Sequence, residues 1–442
     1  MPDTPNPDTP NPDTLNPDTP NPDTPNPDMP NNDPFIFDTR APGILVDPYP
    51  AFRKLRAEDP AHWSPALKGW VLTRYGDVKT CMTDERFSAD RISPFRDNLS
   101  EGERARIPDL LRDLGYWMVF NDPPLHTRLR GLANQAFTSR AVERLTPRIE
   151  TIVHELIDRF IEKGETDLIA DFAFPLPVMV IAHMLGVPLD DTEQFKRWSD
   201  DLATFVGSAQ MTPDKRARAQ AAVKALEGLF GELFEARRKS PGDDLISGLI
   251  AASDEEGGLN DEQLLATCVL LLFAGHETTM NLIGNAFYHF ARNPEVLARL
   301  AGDPGLAASA VEEILRFEGP GLAMTRVPIE PIELHGRTME PGQRVFAMLA
   351  AANRDPDEFA EPETIDIARK DNRHLTFGHG IHFCLGAPLA RLEARIAFPV
   401  LAKRLSRLEP RGPEPEWLDS LSFRGVRSLQ LGFTPAPISG AA

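Results

Sequence analysis

Apolar residues recur every three or four positions along most of the chain after Pro34. This spacing places apolar side chains on one face of a helix, so it predicts a mainly α-helical protein. The three clearest helices are predicted at 149–164, 216–240 and 260–292. Strand-like segments are short and few, and they lie at 70–73, 326–329 and 344–349. The expected fold class is therefore mainly α with small β-sheets (α+β).

The longest predicted helix has a well-marked start and a polar interruption in its middle. Asn260 is a good N-cap residue, and Gln263 three positions later completes a capping box. The apolar run 264–275 is too short to span a bilayer, so we expect a core helix and no membrane association. The sequence AGHETT at 274–279 then places a glycine, an acid and two threonines in a run otherwise suited to the core. Local rules broken inside a core helix often mark a functional site.

Three residues of AGHETT have a possible chemical role. Gly275 would let a flat ligand approach the helix backbone, Glu277 could carry protons, and Thr278 could donate a hydrogen bond to a bound group. One alternative is a helix that turns this polar face to solvent. A zinc site is excluded, because the motif HExxH requires a second histidine where Met280 stands.

The first 34 residues differ in composition from the rest of the chain. They repeat the unit PDTPN, with a proline every two or three positions. Proline at this density blocks helix and sheet, and Asp, Thr and Asn cannot form a core. We therefore predict a disordered tail over 1–34 and a single domain over 35–442, large enough to be built around a buried cofactor.

Charge and cysteine content narrow the possible functions. The formal net charge is −19, which makes nucleic acid a poor partner. Cys81, Cys268 and Cys384 are odd in number and far apart in sequence, so a disulfide framework is not expected. A reducing, cytoplasmic setting fits this pattern.

The segment EEILRF at 312–317 places Glu313 and Arg316 on one helix face. Such a pair usually lies on the surface and contributes less than ~1 kcal/mol. The other residues of this segment suit the core, however, and Arg369 follows shortly before a glycine-rich loop. The alternative is therefore a buried carboxylate held between two arginines.

The segment FGHGIHFCLG at 377–386 surrounds Cys384 with glycines and two histidines. A structural zinc site needs about four ligands, and only Cys384, His379 and His382 are available here. A lone cysteine is ordinarily a small buried hydrophobe. A thiolate ligand to haem iron needs just one cysteine, and the glycines would permit tight turns beside a flat macrocycle. The loop favours this last interpretation.

These segments together resemble the cytochrome P-450 family, in particular its soluble bacterial members. The cysteine loop matches the family pattern Phe-Gly-x-Gly-x-His-x-Cys-x-Gly at every fixed position. AGHETT fits the oxygen-activation motif, and Glu313 and Arg316 fit the Glu-x-x-Arg motif. The resemblance covers about 40–435. It implies haem b (iron protoporphyrin IX) between the long helix and the cysteine loop, with Cys384 as the axial ligand of the iron.

The resemblance also implies roles for further residues. Glu277 and Thr278 match the catalytic acid–alcohol pair that delivers protons during oxygen activation. Glu313, Arg316 and Arg369 match a structural triad that braces the cysteine loop. The remaining cofactor contacts are expected at Ala274, Gly275, Phe377, Gly378 and Gly386, and at the propionate ligands His126, Arg130, Arg326 and His382.

The implied reaction inserts one oxygen atom of dioxygen into a hydrophobic small molecule, as a hydroxylation or an epoxidation. No flavin or Rossmann fingerprint is visible, so the electrons are expected from a separate ferredoxin and ferredoxin reductase. Such partners are usually acidic, and Lys370, Arg373 and His374 are candidates for a basic patch that receives them. We expect the protein to be a cytoplasmic monomer that acts in secondary metabolism. Two alternatives stay open: a peroxide-driven peroxygenase, which typically lacks the acid–alcohol pair, and a non-catalytic haem-binding or sensor protein.

The substrate pocket implied by the resemblance is mainly apolar, which suits a hydrophobic ligand. It includes part of the segment 86–120. Its other expected residues are Phe205, Val206, Leu322, Ala323, Met324 and Phe423.

Overall fold

The computed structural model describes residues 36–41, 43–188, 192–208, 211–253 and 258–436. The predicted tail over 1–34 lies outside these residues. The chain divides into two compact units, Met1–Phe37 and Asp38–Ala442, and the second unit contains every element below.

Helices make up most of the described structure. They are α1 Tyr49–Glu58, α2 Tyr75–Thr83, α3 Ile92–Asp97, α4 Glu101–Arg104, α5 Pro108–Tyr116, α6 Leu125–Ala136, α7 Ser139–Glu143, α8 Thr146–Asp158, α9 Pro175–Leu185, α10 Thr192–Gly207, α11 Pro213–Lys239, α12 Leu245–Ser253, α13 Asp261–Phe290, α14 Pro294–Gly302, α15 Ala307–Glu318, α16 Leu349–Ala352 and α17 Ala387–Arg404.

The strands are short and form small sheets. They are β1 Ala61–Ser64, β2 Gly69–Leu72, β3 Phe87–Ser88, β4 Glu165–Asp167, β5 Met324–Pro328, β6 Ile332–Leu334, β7 Arg337–Met339, β8 Arg344–Ala347, β9 Leu405–Pro410 and β10 Gln430–Pro435. The largest sheet has the order β1-β2-β8-β5-β3, and the others have the orders β4-β10-β9 and β6-β7. The three predicted strands are β2, β5 and β8, and they lie side by side. The fold class is mainly α with small sheets, as predicted.

The long central helix α13 begins as its sequence indicates. The Asn260 side chain accepts a hydrogen bond from the Gln263 amide, and the Gln263 side chain accepts one from the Asn260 amide. Asp261 and Glu262 occupy the first turn, where negative charge suits the helix dipole. The predicted helix at 216–240 is also confirmed, as α11.

The helix predicted at 149–164 is wrong over its last six residues. Helix α8 ends at Asp158, and a separate 3₁₀ turn follows over Ile161–Lys163. Gly164 then has a φ of 70°, a left-handed conformation that stops a helical turn. The apolar spacing runs on through this segment, so periodicity alone did not reveal the break.

The apolar run 264–275 lies inside the longer helix α13. Among the described residues, α13 is long and apolar enough to cross a membrane by length and composition. However, 83% of its most apolar window is buried inside the protein. Burial of that kind is typical of a core helix, which is the role that the sequence predicts for α13.

Candidate functional site

A cavity of about 330 Å³ lies between α13 and the cysteine loop. Its lining is mainly apolar, with a few polar and cationic side chains. The lining residues discussed below include Ala274, Glu277 and Thr278 of α13, and Phe377, Gly378, Cys384 and Gly386 of the loop. The sequence motifs, which are about 100 residues apart in the chain, therefore face one space.

The cysteine loop is held by its own backbone. The Cys384 amide donates to the Phe377 carbonyl at 2.8 Å, which closes the loop. Gly378 and Gly380 have φ of 73° and 72°, left-handed values that favour glycine. A side chain on Gly378 would also contact the Met324 sulfur at 3.6 Å. These glycines keep the loop tight beneath the cavity.

The environment of the Cys384 thiol combines opposing effects. Burial raises its pKa, while the Gly386 and Ala387 amides and the charge of Arg130 lower it. Amides directed at sulfur stabilise a thiolate and adjust its donor strength toward a metal. The thiol therefore lies in the cavity wall with donors that suit its ionised form.

Gly275 lies on the cavity wall, but its position has a second physical reason. A β-carbon there would lie 2.8 Å from the Ile181 side chain, because α9 packs directly against α13. The glycine is thus required by helix packing, whatever approaches the backbone from the cavity side.

Glu277 is buried at the boundary of the cavity. Its Oε1 accepts a hydrogen bond from Asn281 Nδ2 at 3.2 Å. Burial, reinforced by the charge of Asp200, raises its pKa to about 7, so the carboxyl can hold or release a proton at neutral pH. Thr278 donates a hydrogen bond from Oγ1 to the Ala274 carbonyl at 3.4 Å. The alternative that this segment faces solvent is wrong for Glu277.

His276 does not line the cavity and bonds in another direction. Its Nδ1 contacts the Leu272 carbonyl at 2.7 Å, and its Nε2 contacts the hydroxyl of Ser199 on α10. Burial lowers its pKa to about 4. Within the described part of the chain, no cluster of three or more His, Cys, Asp or Glu residues could hold a metal ion.

Glu313, Arg316 and Arg369 form a buried network. Arg316 donates to both Glu313 oxygens at 2.8 and 2.9 Å, and Arg369 Nε donates to Oε2 at 3.0 Å. Asn372 and the Asp366 amide donate to the same carboxylate at 3.1 and 2.8 Å. The interpretation as a surface ion pair is therefore wrong. The network joins α15 to the segment just before the cysteine loop.

Four cationic or imidazole side chains, which the sequence predicts as propionate ligands, line the cavity together: His126, Arg130, Arg326 and His382. The rings of His126 and His382 lie 4.2 Å apart. Both ring nitrogens of His126 and Nη2 of Arg326 are buried without a hydrogen-bond acceptor among the described residues. Buried polar groups normally have hydrogen-bond partners. Nη2 of Arg326 and the protonated ring nitrogen of His126 can each donate to an anionic group from outside the chain. They fit the two carboxylates of a haem.

Only some of the residues expected to contact the substrate line the cavity. Val206, Ala323, Met324 and Phe423 line the cavity, but Phe205 and Leu322 do not. Phe205 instead packs edge-to-face on Phe95, with ring centroids 5.8 Å apart. Leu322 is buried in the core, and its amide donates to the Ser422 carbonyl at 3.0 Å. Phe205 and Leu322 are each adjacent in the sequence to a residue that does line the cavity, namely Val206 and Ala323.

The expected basic patch is smaller than predicted. Lys370 and Arg373 are exposed. His374 is buried and contacts Glu312 at 3.1 Å, so its inclusion is wrong. Although burial opposes ionisation of Glu312, hydrogen bonds from Arg391 and His374 lower its pKa to about 2. His374 belongs to an internal ion-pair network and does not face a partner.

Sequence analysis did not single out Arg91, although it lies within the expected segment 86–120. Its side chain lines the cavity together with those of Trp117 and Phe120. No motif marks this arginine, and only the folded chain brings it to the cavity.

Comparison with known proteins agrees with these observations. The family model described as "Cytochrome P450" (P-450) matches residues 97–303 and 306–422. The chain is 43% identical over 397 residues to a vitamin D(3) 25-hydroxylase of Pseudonocardia autotrophica, covering 89% of this chain and 94% of that protein. It is 41% identical over 409 residues to the cytochrome P-450 monooxygenase PikC of Streptomyces venezuelae, covering 90% and 94%.

A solved structure of P-450 BioI, in complex with an acyl carrier protein ligated to hexadec-9Z-enoic acid, is also similar. It has a TM-score of 0.82 and 37% identity, covering 88% of this chain and 98% of that one.

Proposed function

The chain belongs to the cytochrome P-450 family of haem-thiolate monooxygenases, and from this premise we propose a role for each residue around the cavity. Members of this group insert one oxygen atom into a small molecule. In our proposal Cys384 binds the iron of haem b as its axial ligand. The observation that carries this assignment is the Cys384 thiol in the cavity wall, with amides directed at its sulfur and Glu277 and Thr278 on the opposite wall.

The bound haem supplies oxygen activation and electron transfer, because its iron and macrocycle carry the redox chemistry. His126, Arg130, Arg326 and His382 bind its propionates, and the unpaired buried nitrogens of His126 and Arg326 support this role. Phe377, Gly378, Gly386, Ala274 and Gly275 form the surfaces that the macrocycle contacts. Glu313, Arg316 and Arg369 hold the segment before the cysteine loop in place.

Glu277 is the proton donor of the site, and Thr278 orients the proton transfer. Glu277 also borders a second, more polar cavity of about 100 Å³, which is lined by Lys196, Asp200, Asp419 and Arg427 among others. A carboxyl with a pKa of about 7 that faces both cavities can take a proton from one side and release it on the other. We therefore propose that protons reach the reaction through the second cavity.

The substrate is a hydrophobic small molecule that lies against Val206, Ala323, Met324 and Phe423. The apolar lining supports this class, because such a wall favours ligands with little polar surface. The named relatives include a protein that hydroxylates vitamin D(3) and one whose structure contains a fatty acyl chain. We propose a substrate of comparable apolar character, oxidised by hydroxylation or epoxidation.

The electrons come from a ferredoxin and its reductase. Lys370 and Arg373 are exposed close to the cysteine loop and would attract an acidic partner. We further propose a single catalytic domain over 35–442, preceded by a disordered tail over 1–34, that acts as a cytoplasmic monomer in secondary metabolism. Its three cysteines are free, which suits a reducing compartment.

The test is the visible absorption spectrum of the purified, haem-loaded protein, titrated with a panel of apolar compounds. A haem band that moves on addition of a compound identifies a substrate class, and no haem band in protein produced with ample haem contradicts the assignment. Turnover with a ferredoxin system, compared with hydrogen peroxide alone, separates the monooxygenase from a peroxygenase. Failure of both leaves a haem-binding or sensor protein.

A further inference from the structure

Arg91 is a half-buried cation of the cavity wall that forms no ion pair with any described residue. It precedes α3, and its side chain lines the main cavity. Its guanidinium carbon lies 4.5 Å from the centroid of the Phe120 ring, a cation–π contact that fixes the group's orientation. Within the described residues, the guanidinium donates no hydrogen bond and forms no ion pair. An arginine side chain with five unused donors is unusual in an enclosed site.

The neighbouring acids do not neutralise Arg91. Asp90 accepts hydrogen bonds from the Ile92 and Ser93 amides at 3.0 and 2.8 Å. Asp122 accepts from the Ala89 amide at 2.9 Å and from the Ser88 hydroxyl. Both carboxylates are therefore occupied by local donors, and neither lies within ion-pair distance of Arg91.

The environment of Arg91 is itself cationic. Burial, followed by the charge of Arg326, lowers the pKa of Arg91 to about 10. The guanidinium still carries its charge at neutral pH, so the cavity wall holds a permanent positive charge at unfavourable cost. A charge that is partly removed from water without a partner lowers the stability of a protein.

The number of permanent positive charges in the cavity indicates the chemical class of the ligand. A haem carries two propionates, and Arg130 and Arg326 already supply two permanent positive charges for them. Arg91 is a third positive charge in the same cavity. We propose that Arg91 binds a carboxylate inside the cavity, and that this carboxylate belongs to an acidic, otherwise apolar substrate. This inference rests on the proposed function.

The geometry suits this chemistry. A guanidinium offers two parallel N–H donors to a carboxylate, which gives directional as well as electrostatic recognition. The rest of the wall is mainly apolar, with Leu270 and Phe423 among its residues. An amphiphile with a carboxylate head and a hydrocarbon body, such as a long-chain fatty acid, meets both parts of the wall.

The experiment compares a long-chain fatty acid with the primary alcohol of the same chain length. Each is titrated into haem-loaded wild-type protein, Arg91→Gln and Arg91→Lys, and the absorption shift gives Kd. Arg96→Gln is the matched control, because Arg96 lies on α3, is exposed and pairs with Asp97 at 2.9 Å. The rate of haem transfer to excess apomyoglobin is measured for every variant.

In Arg91→Gln we expect Kd for the acid to rise about 10- to 100-fold, since a hydrogen bond to a charged group contributes about 1.5–3 kcal/mol. Kd for the alcohol and the rate of haem transfer should be unchanged. Arg91→Lys should retain part of the preference for the acid, and Arg96→Gln should retain all of it.

Other outcomes distinguish the sources of the carboxylate. Faster haem transfer from Arg91→Gln, with an unchanged preference for acid over alcohol, would mean that Arg91 binds a cofactor propionate, and the substrate assignment would fall. If Arg91→Gln changes neither the preference for acid over alcohol nor the rate of haem transfer, the proposal is overturned. A normal haem spectrum that still responds to the alcohol would leave the proposed function intact in every case.

Discussion

Replacing Glu277 by glutamine should stabilise the protein at alkaline pH and have little effect in acid. Glutamine has the shape of glutamate and keeps the oxygen that accepts the hydrogen bond from Asn281. The substitution therefore removes the ionisable group and little else. The charged groups facing this side chain, Lys196 and Asp200, remain in place.

The magnitude follows from the two pKa values. The ordinary pKa of 4.5 is raised in the folded protein to about 7, and each pKa unit corresponds to about 1.4 kcal/mol, so the difference is about 3 kcal/mol. Because the folded state binds the proton more tightly, the carboxyl costs nothing below pH 4.5. Its cost grows as the pH rises from 4.5 to 7 and is complete above that range. Glu277→Gln removes this cost, so its stabilising effect should grow by about 1.4 kcal/mol per pH unit between these limits.

The assay is urea unfolding of haem-loaded wild-type protein and Glu277→Gln at several pH values between 5 and 8.5. The exposed residue Glu232 provides the control, since Glu232→Gln removes an equal charge from the surface of α11. A stability difference that does not vary with pH would refute the reasoning, as would a less stable Glu277→Gln at pH 8. Activity should fall in the same variant, because the amide cannot deliver a proton.

Three further predictions concern other parts of the site. Thr278→Ala should uncouple the enzyme, with more peroxide released per product formed, and unchanged coupling would contradict its role in orienting proton transfer. Arg369→Ala should lower the free energy of unfolding by about 2–3 kcal/mol, because the buried Glu313 carboxylate loses one charged hydrogen bond; urea unfolding measures the loss, and a change under 0.5 kcal/mol would show that Arg369 is dispensable. The double substitution Lys370→Glu/Arg373→Glu should slow electron transfer from a ferredoxin most strongly at low salt. Equal rates at all ionic strengths would rule out this patch.

The sequence predicts features that depend on neighbours in the chain. The capping box of α13 joins residues three positions apart, and the turns of the cysteine loop require glycine wherever the loop lies. For this reason α13, the three predicted strands and the cysteine loop are well predicted. The prediction that the motifs surround one cavity came from the family resemblance. The local sequence pattern did not indicate it.

The predictions that failed depend on contacts distant in sequence. The side chain of His374 is buried against Glu312 of α15, which lies 62 positions earlier in the chain. Periodicity cannot distinguish Phe205 from its neighbour Val206, since a small rotation of α10 decides which one reaches the cavity. Such outcomes are set by tertiary packing, which a single sequence does not reveal.

In our proposal, groups from outside the chain satisfy the polar side chains of the cavity wall. Arg91 lines the cavity without an ion-pair partner among the described residues, and both ring nitrogens of His126 and Nη2 of Arg326 are buried there without a hydrogen-bond partner. Each buried unsatisfied group costs about 1–3 kcal/mol, so the polypeptide alone folds at a disadvantage in this region. A ligand whose carboxylates meet these donors binds only the folded state, and its binding free energy adds to stability. In this proposal, the side chains that weaken the polypeptide alone also select the cofactor and substrate, so recognition and folding depend on the same residues.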